Sequence, residues 1–287
     1  FVPLALPALI LFVMVIVIPF IMGVIYSFTA WRGTYFAGGD HFWEAFVGFD
    51  NYVKAFKTKK FLDAFVYTIK VTLVAVVAIN VVSLAMALLA TSLNKGAAAY
   101  RTIYFLPNLL GGLALGYIWQ FIFKTILVYI GKNAGIGFLS KSWLSSPVPA
   151  FIALIIVTVW QLSGYMMLIY IAGLTSVSAD LREAAKIDGC TENQVTRNIV
   201  IPLMRSSFTI CLFLTLTRCF MVYDLNLALT EGGPFGSTVM AAMYVYNKAF
   251  VTKSYGPGQT EAVILFLFTA IIAVSQAVMN KRKEVEA

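Results

Sequence analysis

The chain has 287 residues, 60% of them hydrophobic and only 12% charged, with 21 basic and 13 acidic side chains giving a formal charge of +8. A soluble domain carries about 25% charged residues, so the composition excludes an ordinary soluble enzyme and points to an all-α polytopic membrane protein. The basic excess is scattered over several loops without a dense patch, which fits an anionic lipid surface and argues against nucleic acid as a partner.

Residues 2–28 read as the first membrane helix, long enough to cross a hydrocarbon core of ~30 Å. Pro19 within it implies a kink or local repacking. The chain opens inside this apolar run without the basic region of a signal peptide, so further residues are expected ahead of Phe1. Residues 29–62 form a polar loop with several aromatics. It holds the single histidine, His41, which has no clustered cysteine or carboxylate and reads as a solvated loop residue.

Helix two is expected at 64–92 and helix three at 103–124, joined by a short loop carrying Lys95 and Arg101. Gly112 and Gly116 have the GxxxG spacing; close packing within the subunit is favoured over contact with a partner. The loop 125–147 contains Gly135–Ser142, GIGFLSKS, an approximation to a phosphate-binding loop. Ser140 stands where that motif needs glycine and no strand precedes it, so the reading is rejected. Helix four is expected at 148–173, a central loop at 174–202, helix five at 203–228, an outer loop at 229–256 and helix six at 259–280. Cys190 lies in the central loop. Cys211 and Cys219, in helix five, are more than two turns apart, which argues against a disulfide, and the three have no metal-ligand spacing.

The stretch Glu183–Pro202 is a polar-apolar island in this greasy chain. It reads as two short helices. Asp180 is the expected N-cap of the first, with Glu183 at capping-box spacing. Gly189 supplies a left-handed stop. Thr191 or Cys190 opens the second helix, and Val195, Ile199 and Val200 form its apolar side. Pro202 closes the unit or enters the next membrane helix.

Glu183-Ala184-Ala185, Asp188-Gly189 and Ile199-x-x-Pro202 resemble the EAA loop in the membrane subunits of ATP-driven importers. Gly48-Phe49-Asp50-Asn51-Tyr52 resembles the G-x-x-N-Y segment after the first helix of sugar-importer permeases. Thr230-Glu231-Gly232-Gly233-Pro234 resembles the T-x-G-G-P turn that follows helix five there. In this order, the motifs identify the chain as similar to the permease subunits of carbohydrate ABC importers, the group of the larger maltose-transporter membrane subunit, in a compact six-helix form.

The resemblance implies a single transmembrane permease domain over 1–287, with residues 180–202 as a coupling loop that docks in a groove of an ATPase. Glu183, Ala184, Ala185, Asp188, Gly189 and Pro202 would be its coupling residues. The implied partners are a second homologous permease subunit, two ATPase subunits, a periplasmic or extracellular solute-binding protein, membrane lipid and a carbohydrate substrate. ATP and Mg would sit on the ATPase, with no cofactor, metal or catalytic residue on this chain. The implied location is a bacterial or archaeal cell membrane with both ends cytoplasmic. Charge counting does not fix that orientation. Lys95, Arg101, Arg182, Lys186, Arg197, Lys281, Arg282 and Lys283 lie on one side, and Arg32, Lys54, Lys57, Lys59, Lys60, Lys124, Lys132, Lys141, Lys248 and Lys253 on the other. The orientation therefore follows from the EAA resemblance.

Transporter substrate sites lie near the midplane, where polar side chains are costly unless used. Trp160, Gln161, Ser163 and Tyr165 interrupt the apolar run of helix four. Counting from the EAA loop, the family's contact positions fall at Gln161, Leu162 and Tyr165; counting back from the T-x-G-G-P turn, they fall near Arg218, Cys219 and Val222, with Tyr223 and Asp224 close by. Interfacial placement or plain packing is the competing account of Trp160 and Tyr165. Arg218 is a charge inside a span and departs from the uncharged polar residues common there in the family. It raises an anionic, uronic-acid glycan beside the favoured neutral sugar. The competing class is an ion-coupled secondary transporter, which needs an intramembrane carboxylate; only Asp224 and Glu261 come near, both toward the outer edge, and no inverted repeat is visible.

Overall fold

The computed structural model describes residues 2–38, 41, 43–93 and 95–281; Arg282 and Lys283 of the basic tail lie outside them. Among the described residues the regular structure is helical: α1 Ala5–Ser27, α2 Asp50–Lys57, α3 Lys59–Ser92, α4 Ala97–Leu109, α5 Gly112–Asn133, α6 Pro147–Ser176, α7 Ala179–Ile187, α8 Glu192–Leu203, α9 Arg205–Phe220, α10 Asp224–Thr230, α11 Ala241–Tyr246 and α12 Tyr255–Lys281. Of these, α1, α3, α5, α6 and α12 are long and apolar enough to cross a membrane, and α8 with α9 adds a sixth crossing if that bent pair is one span. The chain divides into two compact units, residues 1–66 with 240–268, and residues 67–239 with 269–287.

In the first unit, the end of α1 is tied down by the residues of the G-x-x-N-Y segment. Gly48 turns the chain with φ +56°. The Asn51 amide then donates to the carbonyls of Ser27 and Thr29, both at 2.9 Å, and the Tyr52 and Ser27 hydroxyls pair at 2.7 Å. The Thr260 hydroxyl adds a bond to the Ser27 carbonyl at 2.7 Å. A helix ends with carbonyls that have no partner in its own ladder, and these side chains answer them. The motif thus has a local structural task.

The second unit is built around α6, which buries Leu154, Met166, Met167, Tyr170 and Leu174. Small residues set how near its neighbours come. A Cβ on Gly164 would fall on the Tyr104 carbonyl of α4, and one on Gly173 would meet the Ser207 side chain of α9. The Tyr170 hydroxyl donates to Asn80 Oδ1 at 2.6 Å, and the Asn80 amide donates to the Val76 carbonyl at 2.8 Å and Thr215 Oγ1 at 3.1 Å. This joins α3, α6 and α9 through groups that hydrocarbon would otherwise leave unpaired. Cys190, Cys211 and Cys219 are all free thiols.

Several boundaries differ from the sequence reading. Helix three is not continuous over 103–124: α4 starts at Ala97 and stops at Leu109, and Leu110 and Gly111 are extended before α5. Pro107 removes one ladder donor near the end of α4, and the Gly111-Gly112 pair costs a continuing helix about 1 kcal/mol per glycine. Helix five is not continuous over 203–228 either. Its start bends by 66° between α8 and α9, where Pro202 lacks the N–H that would bond the Asn198 carbonyl. It breaks again over 221–223 before α10, whose first-turn Asp224 suits a fresh helix N-terminus. Ser178, not Asp180, precedes α7 in the N-cap position; Asp180 lies in its first turn, where a carboxylate still favours the helix dipole. Part of the expected loop 125–147 is the continuation of α5, and α11 interrupts the loop 229–256.

Candidate functional site

Two constellations stand out, both within the second unit. The first is the elbow between α7 and α8. Gly189 has φ +86°. Its N–H donates to the Lys186 carbonyl and the Cys190 N–H to the Ala185 carbonyl, each at 3.0 Å, the paired bonds of a Schellman stop. Thr191 follows at once with a capping box: its N–H donates to Gln194 Oε1 at 2.7 Å, and the Gln194 N–H donates to Thr191 Oγ1 at 3.4 Å. One helix is therefore closed and the next opened within four residues, and Lys186 bridges the turn to Glu192 at 2.5 Å.

Ala185, Val195 and Val200 face inward and join the core that contains Tyr170 and Met204. Glu183, Ala184, Asp188 and Gly189 face out, as does Ile187, 86% exposed, with Leu181 half-exposed beside it. Of the two alanines of the motif, one therefore seats the elbow on its own chain and the other lies on the open side. Arg182 donates through Nη2 to the Leu174 carbonyl in the last turn of α6, which fastens the elbow to a membrane helix. Pro202 stands near the far end of α8, just before the bend into α9.

The second constellation sits where the two broken helices meet. A Cβ on Gly112 would lie 2.9 Å from Asp224 Cβ, and one on Gly116 2.5 Å from Ala228 Cβ, so α5 and α10 touch along the GxxxG face. The pair thus packs within the subunit, as the sequence suggests. Backbone groups left open by such breaks need partners at membrane depth. The Gln161 amide donates to the Leu110 carbonyl at 3.2 Å, and the Gln120 amide donates to the Ala228 carbonyl at 3.1 Å.

Arg218, one turn before the second break, donates to Asn108 Oδ1 at 3.0 Å, and its guanidinium carbon lies 5.0 Å from the centroid of the Tyr165 ring. That is cation–π distance. The ion pairs among the described residues are Lys54–Asp50 and Lys186–Glu192, so no carboxylate there neutralises Arg218. The structure brings Gln161, Tyr165 and Arg218 together around the break. Leu162 and Cys219 turn into the core instead, Val222 and Tyr223 are half-buried in the break itself, and Trp160 stands edge-on to Trp119 at 5.4 Å. Asn108 and the Leu110 carbonyl escaped the sequence reading. The pattern Pro107-Asn108-x-x-Gly111-Gly112 was the signal for them, a helix interrupted beside a polar side chain.

A helical core with broken spans, a polar cluster at the breaks and a hydrogen-bonded surface elbow fit a multi-pass transport protein. The chain belongs to the family of binding-protein-dependent transport system inner membrane components, matched over residues 52–285. It is 41% identical over 280 residues to the "Probable starch degradation products transport system permease protein AmyD" of Thermoanaerobacterium thermosulfurigenes, covering 98% of this chain and 93% of that protein. It is 32% identical over 277 residues to the "Multiple sugar-binding transport system permease protein MsmF" of Streptococcus mutans, covering 96% and 93%. The fold matches a chain of a crystallised bacterial ABC transporter involved in the import of the acidic polysaccharide alginate, with TM-score 0.84, 19% identity, and coverage of 98% of this chain and 94% of that one.

Proposed function

We propose that this permease forms half of the translocation path for a sugar or oligosaccharide delivered by an extracellular binding protein, and that the α7–α8 elbow couples its alternating access to partner ATPases. The elbow carries the reading. It is a preformed unit with an exposed apolar side chain, Ile187, on its outer face and a direct bond, Arg182 to Leu174, to the end of α6. A rigid body held in this way transmits a push to the helix it is bonded to. ATP and Mg belong to the ATPases, hydrolysis takes place there, and a second permease subunit completes the path. The elbow and both termini face the cytoplasm. Two relatives named for starch degradation products and multiple sugars support the carbohydrate class.

Gln161, Tyr165, Arg218 and Asn108 are the substrate contacts in this reading. An aromatic face stacks on sugar C–H surfaces, and amide and guanidinium groups donate to hydroxyls. A neutral sugar is the favoured cargo. The absence of a carboxylate partner for Arg218 among the described residues supports a uronic-acid glycan as the second reading. The test is ATP hydrolysis by the complex reconstituted with both ATPases, the second permease and the binding protein, across a panel of neutral and uronic-acid glycans. Glycan-stimulated hydrolysis is expected. Arg218→Gln should abolish stimulation by a uronate while sparing part of that by a neutral sugar. Uptake that survives ATPase inhibition and collapses with an ionophore would establish an ion-coupled carrier instead.

A further inference from the structure

Beside the elbow a cavity of about 390 Å³ is lined by Arg101 of α4, Arg182 of α7 and the hydroxyl-bearing Thr91, Ser92, Thr175 and Thr196, with Glu192 also on its wall. Both guanidinium groups have a buried Nε without a hydrogen-bond partner among the described residues. Arg182 spends one Nη on the Leu174 carbonyl and so partly answers the end of α6, but this leaves its Nε unanswered. The one carboxylate on the wall among the described residues, Glu192, is held by Lys186 at 2.5 Å. Water could satisfy the buried donors, yet it would leave two like charges lining one cavity. Guanidinium forks with hydroxyl groups around them are suited to tetrahedral oxyanions, which take several charge-assisted bonds at once.

We propose that this cavity binds a phosphate group, on arginines 101 and 182 together, and that the bound anion fastens both arms of the elbow to α3, α4 and α6. The site differs from the substrate cluster, uses none of its residues and does not depend on the identity of the cargo. Free phosphate and the phosphate of an anionic lipid headgroup share the chemistry, and the test separates them.

The full chain, purified with its co-purifying partner subunits, would be titrated with inorganic phosphate against chloride at matched ionic strength, by calorimetry. In parallel, the same complex in nanodiscs of mixed phosphatidylglycerol and phosphatidylcholine would be analysed by native mass spectrometry for retained lipid. The variants are Arg101→Gln, which removes no other hydrogen bond or ion pair among the described residues, and Arg101→Lys, which keeps the charge and loses the fork. Saturable phosphate binding, weakened about tenfold or more in Arg101→Gln and less in Arg101→Lys, supports the site with free phosphate as its source. No phosphate heat, with phosphatidylglycerol retained by the wild type and lost in Arg101→Gln, supports it with a lipid headgroup as the source. Wild-type protein that binds neither, or both variants binding like wild type, overturns the proposal. If Arg101→Gln does not assemble, the wild-type titration and Arg101→Lys decide it.

Discussion

Replacing Gly189 separates backbone conformation from bulk at the centre of the elbow. An added Cβ there has no atom within 4 Å, while the residue's φ is +86°. Any effect of substitution on the fold of the elbow is therefore a cost of the left-handed backbone and not of a collision within this chain. For an ordinary L-residue that cost is about 1–2 kcal/mol, or roughly 5–30-fold in the ratio of closed to opened elbow, since 1.4 kcal/mol is about tenfold. If only the closed elbow docks, the half-saturating ATPase concentration rises by up to that factor. Expected is the order Gly, then Asn, then Ala, then Val, because asparagine tolerates this region and a β-branched side chain tolerates it least. The assay is glycan-stimulated hydrolysis by the reconstituted complex at increasing ATPase concentration. Gly189→Ala and Gly189→Val behaving like wild type would refute the requirement for this backbone. Gly189→Asn as damaging as Gly189→Val would show that bulk matters, against the open space observed.

Three further substitutions probe the scaffold. Gly164→Ala places a methyl group on the Tyr104 carbonyl and should destabilise the α4–α6 contact by about 1–3 kcal/mol, read as a lower unfolding midpoint of the solubilised complex; an unchanged midpoint would mean that these helices separate freely. Tyr170→Phe leaves Asn80 Oδ1 without its donor and should cost about 0.6 kcal/mol and at most about 1.7, the average and the maximum for such bonds within membranes. Adding Asn80→Ala should cost less than the sum of the two single effects, and strict additivity would deny the coupling. Thr191→Ala removes the capping hydroxyl of α8 and should cost about 0.5–2 kcal/mol of local stability, measured as faster amide exchange at residues 192–195; exchange there that stays as slow as in wild type would show that tertiary packing alone holds the helix.

The apolar runs mark the spans well, because the need to satisfy every backbone group in lipid leaves helix as the main solution. The elbow was legible for the same kind of reason. Gly189 and Thr191 act through bonds to residues no more than five positions away, and local rules suffice for those. The break at 110–111 was legible only in part, through Pro107 and the Gly111-Gly112 pair, and that at 221–223 was not legible. The two glycines stand in an otherwise apolar run, and the side chain that answers the freed Leu110 carbonyl is Gln161, some fifty positions later in the chain. Arg218 could be singled out by its charge, but its partners Asn108 and Tyr165 come from other helices and have no periodic relation to it. Counting from motifs found positions along a helix but not which side of it faces the core, so Leu162 and Cys219 were grouped with residues that point elsewhere.

The stop at Gly189 and the cap at Thr191 have a thermodynamic consequence for docking. Their hydrogen bonds all close between Ala185 and Gln194. A protein that meets this surface encounters a shape already settled when the chain folded. Under the proposed coupling, the backbone ordering that would otherwise oppose association in each cycle is then complete beforehand, and only the exposed side chains remain to be immobilised, at about 0.5–1.5 kcal/mol each. In that coupling a surface that does not yield on contact also cannot absorb a displacement within itself, and the work of a closing ATPase would pass into the helices behind it.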